Sequence, residues 1–395
     1  MACGLCWRDE PSRTVQLMPF EPKPASEQGR LTLGERLCDL RFRDAKDEAV
    51  SLYQNRLFGW PKVIHVAASP EDAEPELVRL AERVHSFASV ETHVFGVTRA
   101  RVQENAALVR RLKLPFPLLS HEEGCLHRAA GLDEGAAPCT LVFDAVLRLE
   151  KVIASADVEC QAEAALAHAE ARYSERRPMV ITEQAPALAI PNLIDPEHCR
   201  RLIAFWEGGS KIENLVMSKT GKISATPKLK SRADVAVPVG SYESDELVGI
   251  MCRRLLPEIS KAFNFEVTRF EPFKVGCYDA ADRGFFGPHR DNARDITKHR
   301  RYALTLNLNT GEYEGGFLRL PEYGPHLYAP PVGAGIVFSC SLLHLATPVT
   351  KGRRFVLVGF FWGEEEQPVF ERSHADMFPG GTDINLISQV STSLT

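Results

Sequence analysis

Long apolar runs are missing from this 395-residue chain. No stretch approaches the 18 or so consecutive apolar residues that a membrane-spanning helix requires, and the N-terminal MACGLCWRDEPSR carries no apolar core of a secretory signal. A cytoplasmic protein without a membrane partner is therefore expected. An excess of positive charge is also missing: 47 Lys and Arg face 52 Asp and Glu, for a net charge of -5, and the isoelectric point lies near 6.2. General attraction to nucleic acid or anionic lipid is disfavoured. Ten cysteines in such a length are few, and most, like Cys277 and Cys340, lie in apolar surroundings, so reduced thiols are expected. Cys3-Gly-Leu-Cys6 has neither a second pair nor a following helix, and reads as part of a flexible leader over residues 1–30.

What is present is enough apolar material for a core, 44% of residues, in a length that suits two domains. Over residues 31–172, apolar runs at Val63–Ala67, Val94–Val97 and Thr140–Phe143 alternate with amphipathic stretches at Glu74–Phe87, Arg101–Leu112 and Cys160–Arg172. That alternation predicts an α/β domain. Charges and prolines over residues 173–187 suit a linker, and Asp195 followed by Pro196 predicts a capped helix running through Trp206. A second domain is expected over 188–366 and a C-terminal tail over 367–395. Between Lys211 and Arg232, five lysines and one arginine oppose a single acid, Glu213. This predicts a solvated loop, with Arg232 and Asp234 shaping a substrate entrance; an acidic or phosphorylated substrate is the alternative reading.

The chemistry concentrates near the C-terminus. His289, Asp291 and His344 have the spacing of a two-histidine, one-carboxylate iron site, in which three ligands on one face leave the other positions open. His289 and Asp291, two apart on a strand or its exit, can share a face. His344 is expected between two strands, after a tight turn at Gly333 and Gly335. Arg354, ten positions beyond it, can grip a carboxylate bidentately. The adjacent Arg353 leaves that assignment open by one residue, although strand alternation places Arg354 with Val356 and Val358 on the inward face. A second H-x-D at His374 and Asp376 has no later histidine or arginine and reads as surface tail.

From about Pro178 to Glu364 the chain resembles the iron- and 2-oxoglutarate-dependent dioxygenases of the prolyl 4-hydroxylase type. The likeness rests on FKVGCYDAADRGFFGPHRDN, RRYALTLNLN, YEGGFLRLP and LLHLATPVTKGRR, in that order. It implies a double-stranded β-helix (jelly roll) with supporting helices, and Fe(II) bound by His289, Asp291 and His344. It further implies 2-oxoglutarate clamped by Arg354, Tyr278 in the pocket wall, and ascorbate as reductant. Asn307 would either contact the co-substrate or satisfy strand backbone, and Gly315 and Gly316 would allow close backbone approach. The implied reaction hydroxylates a C–H bond with O2, giving succinate and CO2. A prolyl or other protein side chain is favoured over a small molecule. The rival reading is a catalytically idle scaffold or sensor that binds 2-oxoglutarate.

The first domain resembles a peroxiredoxin of the thioredoxin fold, through LTLGERLCDLRF, GVTRARVQENAALVRRLKLPFPLLSHEEGCLHRAAGL and APCTLVFDAVLRLEKVI. Pro138 would be its cis-proline. At the helix start where such proteins carry the peroxidatic cysteine, this chain reads Ala68-Ser69-Pro70-Glu71-Asp72-Ala73, so thiolate chemistry is excluded there. Cys139 reads as a buried structural thiol. Docking, substrate recognition or homodimerisation remain as roles for the domain.

Overall fold

The computed structural model describes residues 15–16, 29–54, 57–132, 136–154, 156–175, 180–213, 215–217, 223–225 and 229–377. The chain divides into two compact units, 21–180 and 181–395, the latter joined by 1–20. Cys3 and Cys6, most of the expected leader, and the end of the tail lie outside the described residues.

The N-terminal unit is built on seven strands: β1 (Arg41–Arg43), β2 (Ala49–Ser51), β3 (Lys62–Ala67), β4 (His93–Thr98), β5 (Leu118–Ser120), β6 (Cys139–Phe143) and β7 (Leu149–Ala154). They lie in the order β2-β1-β5-β4-β3-β6-β7. The central β3, β4 and β5 are parallel, and β6 and β7 return antiparallel. Buried on both faces, β3 reads as a near-continuous apolar run, as a central parallel strand must. One face is covered by α1 (Pro70–Glu82), α2 (Val84–Ser89), α3 (Val102–Leu112) and α5 (Gln161–Glu175) around Leu77, Leu80 and Phe87; the other packs Phe42, Leu126 and Phe143, with α4 (Cys125–Ala130).

The local chemistry at α1 is that of a helix start and nothing more. Ser69 Oγ accepts from Asp72 N at 3.1 Å and Pro70 fills the first turn. Cys139 is buried, and burial pushes its thiol up to about 12, so it stays protonated. The cis bond expected at Pro138 is not found: every described peptide is trans, and the Pro138 carbonyl accepts from Gln161 Nε2 at 3.1 Å.

In the C-terminal unit, α6 (Pro196–Gly208) is capped by Asp195, whose carboxylate accepts from His198 N at 2.8 Å. A large antiparallel sheet runs from Ile212–Glu213 through β9 (Ala233–Ala236), β10 (Lys274–Asp279), β16 (Arg353–Trp362), β12 (Tyr302–Asn307) and β14 (Gly335–Ser339) to β8 (Ala187–Ile190). A smaller one orders Lys230–Ser231, β11 (Phe285–His289), β15 (His344–Ala346), β13 (Leu318–Arg319) and Leu327–Tyr328. Alternation along β16 sorts its side chains: Phe355, Leu357 and Phe361 join the core with Leu202, Trp206 and Leu255, while Val356 and Val358 face the other way. Gly333 turns the chain into β14 at φ +73°, where a Cβ would lie 2.0 Å from the Ile194 carbonyl oxygen.

Four sequence expectations are corrected here. His344 opens a strand of its own instead of lying between strands. Within the expected loop 211–232, Leu215–Met217 pairs antiparallel with Ile223–Ala225. Val15–Gln16 of the leader pairs with Arg269–Phe270, using an open strand edge. The tail begins as a helix, Gln367–Met377, because Phe370 stacks on Trp362 at 5.4 Å; it contains His374 and Asp376, whose side chains lie outside the described residues.

One buried titratable group makes the N-terminal unit acid-sensitive. Burial, offset in part by Gln161, holds the His65 imidazole down at about 4 against an ordinary 6.5. A depressed histidine stabilises the fold fully above about 6.5 and loses that contribution as pH falls to about 4. We expect the unfolding free energy of the wild type to drop by roughly 3 kcal/mol more than that of His65→Gln across this window. Urea denaturation at pH 7 and pH 4 checks it.

Candidate metal and carboxylate site

A cavity between the two sheets is lined by His289, Asp291 and His344 on one side and by Tyr278, Thr305 and Arg354 on the other. His289 ends β11 and His344 begins β15, and the two are direct cross-strand partners, with an irregularity between Phe286 and His289. Their ring centroids stand 4.1 Å apart. Asp291 follows the strand end, tied by its backbone N–H to the Cys340 carbonyl at 3.0 Å. Its carboxylate lies between the rings, 3.5 Å from His289 Nε2 and 3.3 Å from His344 Nε2. Ligand-capable atoms of the three lie within 4.8 Å of one another.

The second nitrogens decide which tautomer faces inward. His289 Nδ1 is 2.8 Å from the Gly287 carbonyl and His344 Nδ1 is 3.0 Å from that of Leu342. A carbonyl only accepts, so each Nδ1 carries a proton, and the neutral form of each ring turns the lone pair of its Nε2 to the centre. Phe286 stacks on His289 at 3.6 Å, and Phe338 meets His344 edge-on at 4.7 Å, so both rings are held. Burial lowers the His289 pKa; at His344 the cost of burial is outweighed by the Asp291 carboxylate and the pKa rises. Asp291, despite burial, is held well below the usual carboxylate range by the two histidines. Two imidazoles and a carboxylate with shared orientation fit a divalent non-haem metal such as Fe(II).

Arg354 is 3% exposed and sits opposite Tyr278 across β10 and β16. Its Nη2 donates to Asn307 Oδ1 at 2.9 Å, and the carbon of its guanidinium lies 5.3 Å from the Tyr278 ring centroid. Asn307 Nδ2 in turn donates to Thr310 Oγ1, Tyr313 Oη and the Pro330 carbonyl, at 3.0 to 3.2 Å. Arg354 Nε is buried with no hydrogen-bond partner. An orphaned guanidinium nitrogen in a cavity wall suits an anionic ligand. Arg353 points outward to Glu207 at 2.8 Å. Gly316, at φ +65°, leaves the space Arg354 needs, since a Cβ there would lie 2.9 Å from Arg354 Cδ.

Arg232 and Asp234 lie deeper than an entrance rim. The guanidinium meets the carboxylate at 2.6 and 2.9 Å and reaches the Tyr278 hydroxyl at 3.1 Å, while Lys230 Nζ approaches Asp234 at 2.6 Å. Burial, then the neighbouring Arg232, pull the Lys230 ammonium down to about 8. The roles of Phe286 and Phe338 were not read from the sequence; Phe286, three residues before His289, had a positional cue.

With this geometry in view, the comparisons define a class. Residues 273–362 match the family model of the 2OG-Fe(II) oxygenase superfamily. The chain thus carries a 2-oxoglutarate-dependent dioxygenase domain, an oxidoreductase that uses O2. It is 28% identical over 186 residues to a PKHD-type hydroxylase of Cupriavidus metallidurans, the match covering 45% of this chain and 77% of that one. A PKHD-type hydroxylase of Paracoccus denitrificans is 28% identical over 188 residues, with the same coverage of 45% and 77%. Among solved structures, a Pseudomonas putida prolyl-4-hydroxylase is 20% identical at a TM-score of 0.35, covering 46% of this chain and 93% of that one. A Xanthomonas campestris peroxiredoxin Q is 18% identical at 0.32, covering 37% and 99%.

Each histidine supplies a third of the donor set, so His289→Ala and His344→Ala should each abolish stoichiometric iron binding. Metal analysis of the purified variants checks this, and full iron in both would refute the ligand set. Arg354→Ala should weaken 2-oxoglutarate binding by roughly 2 to 5 kcal/mol with iron retained, and Arg353→Ala should leave it unchanged. Calorimetric titration separates the two arginines.

Proposed function

We propose that this protein hydroxylates a C–H bond, consuming O2 and 2-oxoglutarate and releasing succinate and CO2. His289, Asp291 and His344 would hold Fe(II), and Arg354 would hold the far carboxylate of 2-oxoglutarate. The observation that carries the reading is one cavity with two inward Nε2 lone pairs around a carboxylate on one wall and a buried, partly unpaired guanidinium on the other. When bound, iron supplies the activation of dioxygen that no side chain here offers. The protein's own part is placement: Asn307 fixes the Arg354 fork, the two backbone carbonyls fix the imidazoles, and Phe286, Leu318 and Phe360 make part of the wall apolar.

On this reading the two sheets form a double-stranded β-helix, with ascorbate maintaining the reduced metal and a cytoplasmic setting. The likeness to PKHD-type hydroxylases supports a hydroxylation; the substrate proposed is a prolyl or other protein side chain, with a small molecule as the other outcome. Protein reconstituted with Fe(II), 2-oxoglutarate and ascorbate should release succinate slowly alone and faster with substrate, because an occupied cavity aligns the reacting carbon. Succinate is measured against His289→Ala. If release with a broad panel of peptides and extracts never exceeds that background, the chain binds 2-oxoglutarate without turning it over.

A further inference from the structure

The N-terminal unit contains a second cluster of metal-ligating side chains, unrelated to the oxygenase cavity. His121, Glu123 and Cys125 bring an imidazole nitrogen, a carboxylate oxygen and a sulfur within 4.8 Å of one another. They lie where the chain leaves the carboxyl end of β5 and turns into α4, outside the ends of the parallel strands, where open α/β sheets place their ligands. His121 N donates to the Thr98 carbonyl at 2.9 Å, and Gly124, at φ +66°, closes a turn by donating to the His121 carbonyl at 3.0 Å. One five-residue loop thus presents all three groups.

The imidazole gives the independent observation. His121 is 5% exposed, and its Nδ1 is buried without a hydrogen-bond partner. A buried, unsatisfied ring nitrogen is costly unless something binds it. Cys125 Sγ lies 3.8 Å from Glu123 Oε2, close to the edge of about 3.5 Å that bonds of about 2.0 to 2.3 Å give in a tetrahedral site. Arg128 Nη2 donates to the same sulfur at 3.1 Å. A thiolate and a carboxylate together balance the charge of a divalent ion.

We propose that His121, Glu123 and Cys125 form a three-ligand site for a borderline-soft divalent metal, zinc(II) above all, with the fourth position open to solvent. Mixed nitrogen, oxygen and sulfur donors select such an ion over the hard, oxygen-bound cations.

Cobalt(II) tests this in the full-length protein, because only a sulfur ligand gives thiolate-to-cobalt charge-transfer absorption in the near ultraviolet, and the His289, Asp291, His344 set has no sulfur. The expected result is a saturable band for the wild type and for His289→Ala, its loss in Cys125→Ser, and bleaching by equimolar zinc(II). Glu123→Gln, at an exposed position, should weaken cobalt affinity without altering the far-ultraviolet circular dichroism. Absence of the band in folded wild type, its persistence in Cys125→Ser, or unchanged affinity in Glu123→Gln would overturn the proposal. None of these results depends on whether the oxygenase reading holds.

Discussion

The candidate site depends on the register of one strand. β16 pairs with β10 and β12 at once, and this sets Arg354 opposite Tyr278 and Val356 opposite Asn307. A slip of one residue would exchange the faces, turning Arg354 toward the apolar core and Phe355 into the cavity. Phe355, Leu357 and Phe361, packed with Trp206 and Leu202, make that exchange prohibitively costly. The hydrophobic face thus fixes the placement of the charge on the other face.

The candidate metal ligands follow a related logic in the smaller sheet. His289 and His344 are cross-strand partners, so one pairing event brings residues 55 positions apart in sequence to adjacent rings. Backbone carbonyls at Gly287 and Leu342, each two residues before its histidine, then choose the tautomer. The ligand geometry is therefore built from local backbone and one ladder.

The N-terminal unit sets its strand ends apart from its helix starts. Its parallel centre carries a helical cover, and the start of α1 offers Ser69 and Pro70, which cap a helix and carry no thiol. The loop after β5, by contrast, gathers His121, Glu123 and Cys125. The strand ends remain the natural place for side chains to converge even where the helix start is silent.

Much of this was legible in residue order alone. Alternation along Arg353–Trp362 predicted which arginine turns inward, and the Asp195-Pro196 pair predicted the start of α6, because strand period and helix capping are local properties. The spacing of His289, Asp291 and His344 identified candidate ligands, and Ser69-Pro70 marked a helix start without a thiol. The pairing of Arg232 with Asp234 against Tyr278, the stacking of Phe286 on His289, the strand beginning at His344 and the unpaired Nδ1 of His121 came only from the tertiary structure. Each depends on contacts between segments far apart in sequence or on what packing leaves unsatisfied, and the periodicity of a single segment records neither.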